Sequence, residues 1–163
     1  MVDERDICVH RDPVGRDRAD FIIMCDLTGS RMPGRWEQLW ARTLDGGLYE
    51  ICCVPFFAYG LSLGDEVSAR SAPEFEWVVD SVVRPAPGTT LRAAFRDRDR
   101  ETVRDGQREI VAAAERAGLP YEIHRFGYLA VHYPGPPATA ELDEVLDPLA
   151  AEGILEKETS RPL

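Results

Sequence analysis

The chain has 163 residues, 44% of them apolar and 29% charged, with a formal charge of −10. That length and apolar share suit one globular domain or two small ones, and no run of about eighteen apolar residues is present to span a membrane as a helix. A surface this acidic repels phosphate backbones, so neither nucleic acid nor a membrane is an expected partner, whereas a basic protein suits it.

Residues 1–19 alternate charges (Asp3, Glu4, Arg5, Asp6) and read as a polar, loosely held arm, apart from Ile7-Cys8-Val9. With no apolar leader in that stretch, the chain is expected in the cytoplasm. Cys8-x-His10 offers two metal ligands without a second pair, too few for a structural zinc site. Asp20–Leu27 is a continuous apolar run of strand length, and Thr28–Arg35, with two glycines and a proline, is a loop. Trp36–Leu44 reads as a strand with bulky residues on both faces, followed by a hairpin turn at Asp45-Gly46-Gly47.

The stretch Tyr49–Val67 organises what surrounds it. Tyr49, Ile51 and Cys53 alternate with Glu50, Cys52 and Val54, a strand pattern that Pro55 ends for want of an amide hydrogen. Phe56 and Phe57 cannot both point one way from extended backbone, so one turns toward a second layer. With Tyr59 they serve either as an aromatic plug or as a rim that contacts a ligand. Gly64-Asp65 is a turn before the strand Glu66–Arg70, and Phe75–Val83 is a further strand. Five strands in residues 20–85 with no helix between them predict a small antiparallel β-barrel.

Pro85-Ala86-Pro87-Gly88 punctuates the chain and is too short for a free linker. Thr89–Phe95 then reads as a strand with Leu91, Ala93 and Phe95 on one face and Thr90 and Arg92 on the other. Asp99–Ala117 is a helix with its buried stripe at Val103, Gly106, Ile110, Ala113 and Ala117. Its arginine-rich entrance is interleaved with Asp97, Asp99 and Asp105 and so neutralises itself. Tyr121–Arg125 and Leu129–Tyr133 form a hairpin about Phe126-Gly127-Tyr128. Thr139 caps a helix carrying Leu142, Val145, Leu146 and Leu149, and Ile154–Glu158 is a last strand. The order β-α-β-β-α-β over residues 88–158 is that of a ferredoxin-like half, so the fold class is α+β.

Several of these segments resemble a family of bacterial proteins, domain-of-unknown-function family 4265. The likeness lies in Glu37, Leu39, Trp40 and Ala41, in Pro55-Phe56-Phe57-Ala58 with Gly60, and in Leu63-Gly64-Asp65 with Val67. Gly88-Thr89-Thr90 with Arg92 is similar too, more loosely, and the charged arm before Asp20 departs from the pattern. The resemblance implies no activity.

Candidate chemistry concentrates on the hairpin. With its loop at Phe126-Gly127-Tyr128, Glu122 stands opposite His132 with His124 diagonal, on a sheet face free of helices. Two histidines and a carboxylate there suit proton shuttling, but their parallel side chains do not converge as a metal site needs. No metal and no cofactor is therefore expected, and His132 is expected to pair with Glu122 or with a residue of the barrel. Arg92, on the same face, is placed to clamp an anionic group or to pair with Glu122. Cys8, Cys25, Cys52 and Cys53 are expected as buried thiols. No nucleophile-base signature, dinucleotide fingerprint or phosphate loop is present. Two functions follow. One is a non-enzymatic acidic binding protein, such as an immunity-type neutraliser of a basic toxin, with Trp40, Phe56, Phe57, Tyr59, Arg92, Glu122, His124 and His132 as contact residues. The other is a small enzyme or small-molecule sensor using a cleft between the barrel and the second sheet.

Overall fold

The computed structural model describes residues 6–30, 35–96 and 99–162. These form ten strands and two α-helices in two sheets. The first sheet comprises β1 (Ile7–Val9), β2 (Phe21–Asp26), β3 (Trp36–Thr43), β4 (Leu48–Ile51), β5 (Glu66–Arg70) and β6 (Val78–Arg84). The second comprises β7 (Thr89–Phe95), β8 (Tyr121–Arg125), β9 (Tyr128–Tyr133) and β10 (Leu155–Thr159), with helices α1 (Arg100–Arg116) and α2 (Ala140–Ala151) between strands.

The first sheet runs in the order β1-β3-β2-β6-β5-β4, and β3 also pairs with β4. From β2 to β6 it is largely a meander. An odd number of strands laid alternately up and down leaves the first and last running the same way. β2 and β6 accordingly meet in parallel, through the single partner pair Met24–Val78. The expected antiparallel sheet is therefore mixed. The strand expected at Phe75–Val83 begins only at Val78. Ile23, Leu39, Ala41, Tyr49, Ile51 and Val67 form its core.

The expected loose arm is instead part of the sheet. Residues 1–5 lie outside the described residues, but Ile7–Val9 pair in parallel with Trp36–Gln38. Gly15 then donates its amide to the Cys52 carbonyl at 2.9 Å. A β-carbon at Gly15 would lie 2.4 Å from that oxygen, so only glycine brings the arm this close.

The second sheet is wholly antiparallel, in the order β10-β7-β9-β8. Leu91, Ala93, Leu129, Val131 and Leu155 face the helices and pack with Ile110, Ala113, Leu142 and Leu146. Asp99 caps α1 by accepting from the Thr102 amide. The small residue Gly106 lets the helix settle on the Phe95 ring, 2.7 Å from where a β-carbon would be. Thr139 stands at the N-cap of α2 but does not cap it with its side chain; its hydroxyl donates to Asp143 instead.

The hairpin register differs from the expected one by two residues. Glu122 pairs with Ala130, not His132, because the turn is only Phe126-Gly127 and the pairing shifts near His124. A two-residue slip keeps every side chain on its face, so Glu122, Arg92 and Thr90 do share one face. That face is not open. The chain between β4 and β5 packs on it, with Val54 and Phe56 against Ala130.

Candidate functional site

The stretch from Cys52 to Leu63 carries no regular structure, yet it is buried along much of its length. Its ends are closed where Ile51 donates to the Asp65 carbonyl and Gly64 to the Ile51 carbonyl. A buried loop lacks both a ladder and water, so its amides must find other acceptors. Here they find carboxylates. Glu37 accepts from the amides of Phe56, Phe57 and Ala58 at 2.6, 3.0 and 2.7 Å. Glu122 accepts from Val54 at 2.7 Å and from Val14 at 3.2 Å. Asp65 accepts from Ser62 at 2.9 Å and from Ala86 at 2.8 Å.

The three buried carboxylates have cations. His10, 4% exposed, bridges the first two, with Nε2 3.0 Å from Glu37 Oε1 and Nδ1 bonded to Glu122. Its ring stacks on Phe56 at 4.4 Å and 8°. Burial alone would push the imidazole down, but Cys53, Glu122 and Glu37 outweigh it and hold His10 well above its ordinary value. Burial keeps Cys53 a neutral thiol, so the charge that holds the imidazolium is that of the carboxylates. Burial would likewise raise Glu37, but His10 and the loop amides hold it below its ordinary value. The surplus negative charge of the trio is met by five backbone amides. Asp65 is held by Arg161, whose guanidinium bonds both its oxygens at 2.7 and 2.9 Å and also reaches the Ala86 carbonyl at 2.8 Å.

Between this loop and the second sheet lies a cleft of about 470 Å³. Phe56, Phe57, Tyr59 and Tyr128 form its aromatic wall, and Arg92 with Ala94 comes from the second sheet. Arg92 is only 1% exposed; its Nη2 donates to the Ala58 carbonyl at 2.8 Å, and its Nε and Nη1 have no hydrogen-bond partner among the described residues. The Tyr59 ring lies over the guanidinium at 5.1 Å, and its hydroxyl donates to Glu158 at 3.0 Å. Tyr128 fixes the wall by donating to the Phe56 carbonyl at 2.8 Å. A second groove, of about 620 Å³, runs between residues 11–14 and β8, but the Glu122 carboxylate on its wall is already engaged by His10 and two amides.

Of the eight residues singled out from the sequence, the cleft gathers Phe56, Phe57, Tyr59 and Arg92. Trp40 stands apart on β3, under the Arg16 guanidinium at 5.4 Å. Glu122, His124 and His132 do not act together. Glu122 serves His10, and His124 sits against Phe57 and Tyr128, with Cys8 Sγ 3.7 Å from its Nδ1. The expected pairing of His132 with Glu122 or with the barrel is not found among the described residues, where its buried Nδ1 has no hydrogen-bond partner. Burial pushes both histidines below their ordinary values, helped by Arg125 at His124 and Arg161 at His132. Arg92 makes no pair with Glu122, because Ala130 lies opposite both in the strand register. Among the described residues no group of three or more His, Cys, Asp or Glu is placed to hold a metal ion. All four thiols are free; burial pushes Cys8 and Cys25 up to about 12 and Cys52 to about 11.

Sequence reasoning missed His10 and the role of Glu37. Glu37 was legible, since it alternates in phase with Leu39 and Ala41, both buried. A carboxylate at a core position of a strand asks for several donors. His10 gave no such signal, because its partners stand 27 and 112 residues away.

A mixed α+β protein with two sheets, joined across a buried carboxylate-held loop, is thus the class that fold and site define. The chain belongs to the family described as Domain of unknown function (DUF4265), whose model matches residues 37–157. Glu37, Asp65, Arg92 and Glu122 lie within that range, and His10 and Arg161 outside it. The crystal structure of a hypothetical protein from Neisseria gonorrhoeae is similar, with a TM-score of 0.65 and 18% identity, over 86% of this chain and 94% of that one. At that identity the likeness concerns the fold alone. No curated protein matches the chain. Among the described residues no helix is long and apolar enough to cross a membrane.

Proposed function

We propose that this is a binding protein that holds a small molecule in the cleft between the loop after β4 and its second sheet. The observation that carries the reading is the cleft itself: about 470 Å³, aromatic on one wall and bearing a buried guanidinium on the other. Cavities of roughly 300–1,000 Å³, apolar with a few polar groups, are the usual form of a small-molecule site. Binding is favoured over turnover by the state of the nearby groups. Both nitrogens of His10 are committed to carboxylates, and thiols pushed up to about 11 or 12 are not nucleophiles at neutral pH. In this reading the strands of residues 20–85 make a small barrel, which the run of pairings from β3 through β2, β6, β5 and β4 back to β3 supports. Residues 88–158 make a ferredoxin-like half, supported by the order β10-β7-β9-β8.

The test is a thermal-shift screen of a metabolite library, repeated on Ala94→Phe, which fills the cleft. Ligands that raise the melting temperature of the native chain and not of the variant support the reading. Ligands that stabilise both equally place binding elsewhere and refute it.

The charge of −10 favours a second reading, a neutraliser of a basic protein such as a toxin nuclease. Co-purification with a basic partner at low salt, weakened by added salt, supports it. Absence of any protein partner in a pull-down from the native host argues against it.

A further inference from the structure

We infer that the cleft takes the anionic head of a small organic acid (a carboxylate, phosphate or sulfonate on an apolar or aromatic body), with Arg92 as counter-ion and Tyr59 as a movable cover. The inference rests on the ligand-binding reading above and names the ligand's chemistry.

A guanidinium removed from water without a counter-ion is strongly unfavourable. Arg92 is in that position: 1% exposed, two of its three nitrogens without a hydrogen-bond partner, and no ion pair among the described residues. The strand register sets Glu158 directly across from it. Yet the Glu158 carboxylate receives the Tyr59 hydroxyl at 3.0 and 3.1 Å. The other cations of the cleft have carboxylate partners, Arg96 with Glu156 and Lys157 with Asp147. Among the described residues, Arg92 is thus the cleft cation that makes no ion pair, in a chain of charge −10. A buried guanidinium with open donors and no ion pair selects an anion.

The aromatic wall sets the rest of the ligand. Phe57 and Tyr128, their ring centroids 5.2 Å apart, offer apolar surface beside the guanidinium. Tyr59 supplies the substitute for the missing anion, its π face lying over Arg92. It is 41% exposed, and turning it outward opens Arg92 to the cleft while giving up the ring's contact with the guanidinium and the hydroxyl's hold on Glu158.

Fluorescence titration with a matched pair tests this: anilinonaphthalene sulfonate, and phenylnaphthylamine, which has the same rings without the charge. The native chain is expected to bind the sulfonate about tenfold tighter or more. Arg92→Met should abolish that preference, leave phenylnaphthylamine binding unchanged, and melt no lower than the native chain, since it removes an unpaired buried cation. A merely structural Arg92 would instead lower the melting temperature. Equal affinities in the native chain, or a preference that survives Arg92→Met, overturn the inference while leaving the ligand-binding reading standing. Failure of both probes to bind overturns the two together. Displacement of the sulfonate by benzoate identifies a carboxylate site, displacement by phenyl phosphate a phosphate site, and displacement by benzenesulfonate alone a sulfonate site; displacement by none of the three refutes the assigned head group. Tyr59→Ala should speed association severalfold in stopped flow, and an unchanged rate refutes the cover.

Discussion

Replacing Glu37 by Gln changes one atom of a fully buried side chain and strikes the centre of the junction. The carboxylate accepts four hydrogen bonds: Phe56 and His10 on Oε1, Phe57 and Ala58 on Oε2. A glutamine keeps one acceptor oxygen. Whichever way the amide turns, its NH₂ faces two donors that have no other acceptor. Bonds to a charged group contribute about 1.5–3 kcal/mol each, and removing one partner from a buried ion pair costs about 3–5 kcal/mol. Because the four bonds act as one unit, the expected loss is about 3–5 kcal/mol rather than their sum. With a urea m-value of about 2 kcal/mol/M, the unfolding midpoint falls by about 1.5–2.5 M. Urea titration followed by tryptophan fluorescence and circular dichroism measures this. Glu156→Gln, at an exposed pair with Arg96, is the control, expected within about 0.5 kcal/mol of native. If Glu37→Gln unfolds at the same urea concentration as Glu156→Gln, the carboxylate does not hold the loop and the account of the junction is wrong.

The pH dependence of stability has two limbs. His10 is raised above its ordinary 6.5, so its contribution is whole below that value and is lost as pH climbs toward its folded pKa. Glu37 is lowered below its ordinary 4.5, so its contribution is whole above that value and is lost as pH falls toward its folded pKa. Urea midpoints should therefore be flat between about 4.5 and 6.5 and fall on either side, and His10→Gln should remove the alkaline limb. Arg161→Met breaks a two-bond pair with fully buried Asp65 and should cost about 3–5 kcal/mol, with Asp65→Asn in the same chain recovering part of it by thermal melting. Gly106→Ala sets a methyl against the Phe95 ring. The clash costs about 1–3 kcal/mol against about 1 kcal/mol of helix propensity gained, so the variant should melt lower unless Phe95→Leu is added. Native protein at pH 8 should resist a thiol reagent at all four cysteines and react with all four once unfolded.

The second half of the chain was the more legible because its signals are local. Val103, Gly106, Ile110 and Ala113 recur at helical spacing and are buried as read. Leu91 and Ala93 fall on the helix side and Arg92 on the other, as alternation requires. Even the hairpin slip left Glu122 on the correct face, since strand faces repeat every two residues. What was not legible depends on contacts distant in sequence. The face read as open is covered by the loop after β4, and nothing near Glu122 announces that His10 will reach it from the arm. The arm itself looked unstructured because its strand is three residues long and its charges outnumber its apolar groups. The cleft was half visible: the aromatics and Arg92 were named, but not that Arg92 would be buried without a carboxylate.

The loop that walls the cleft takes its path from what grips its backbone, not from its own side chains. Carboxylates borrowed from β3, β8 and the turn at Asp65 hold the amides of Val54, Phe56, Phe57, Ala58 and Ser62. Amides are the same whatever residue carries them, proline excepted. Tyr59, which faces the cleft next to the shared Pro55-Phe56-Phe57-Ala58, is thereby not what sets the backbone path. Related proteins can exchange that residue and refit the wall to differently shaped guests, with the scaffold left as it is. Variation between relatives should then be greater at position 59 than at the acids that clamp the backbone.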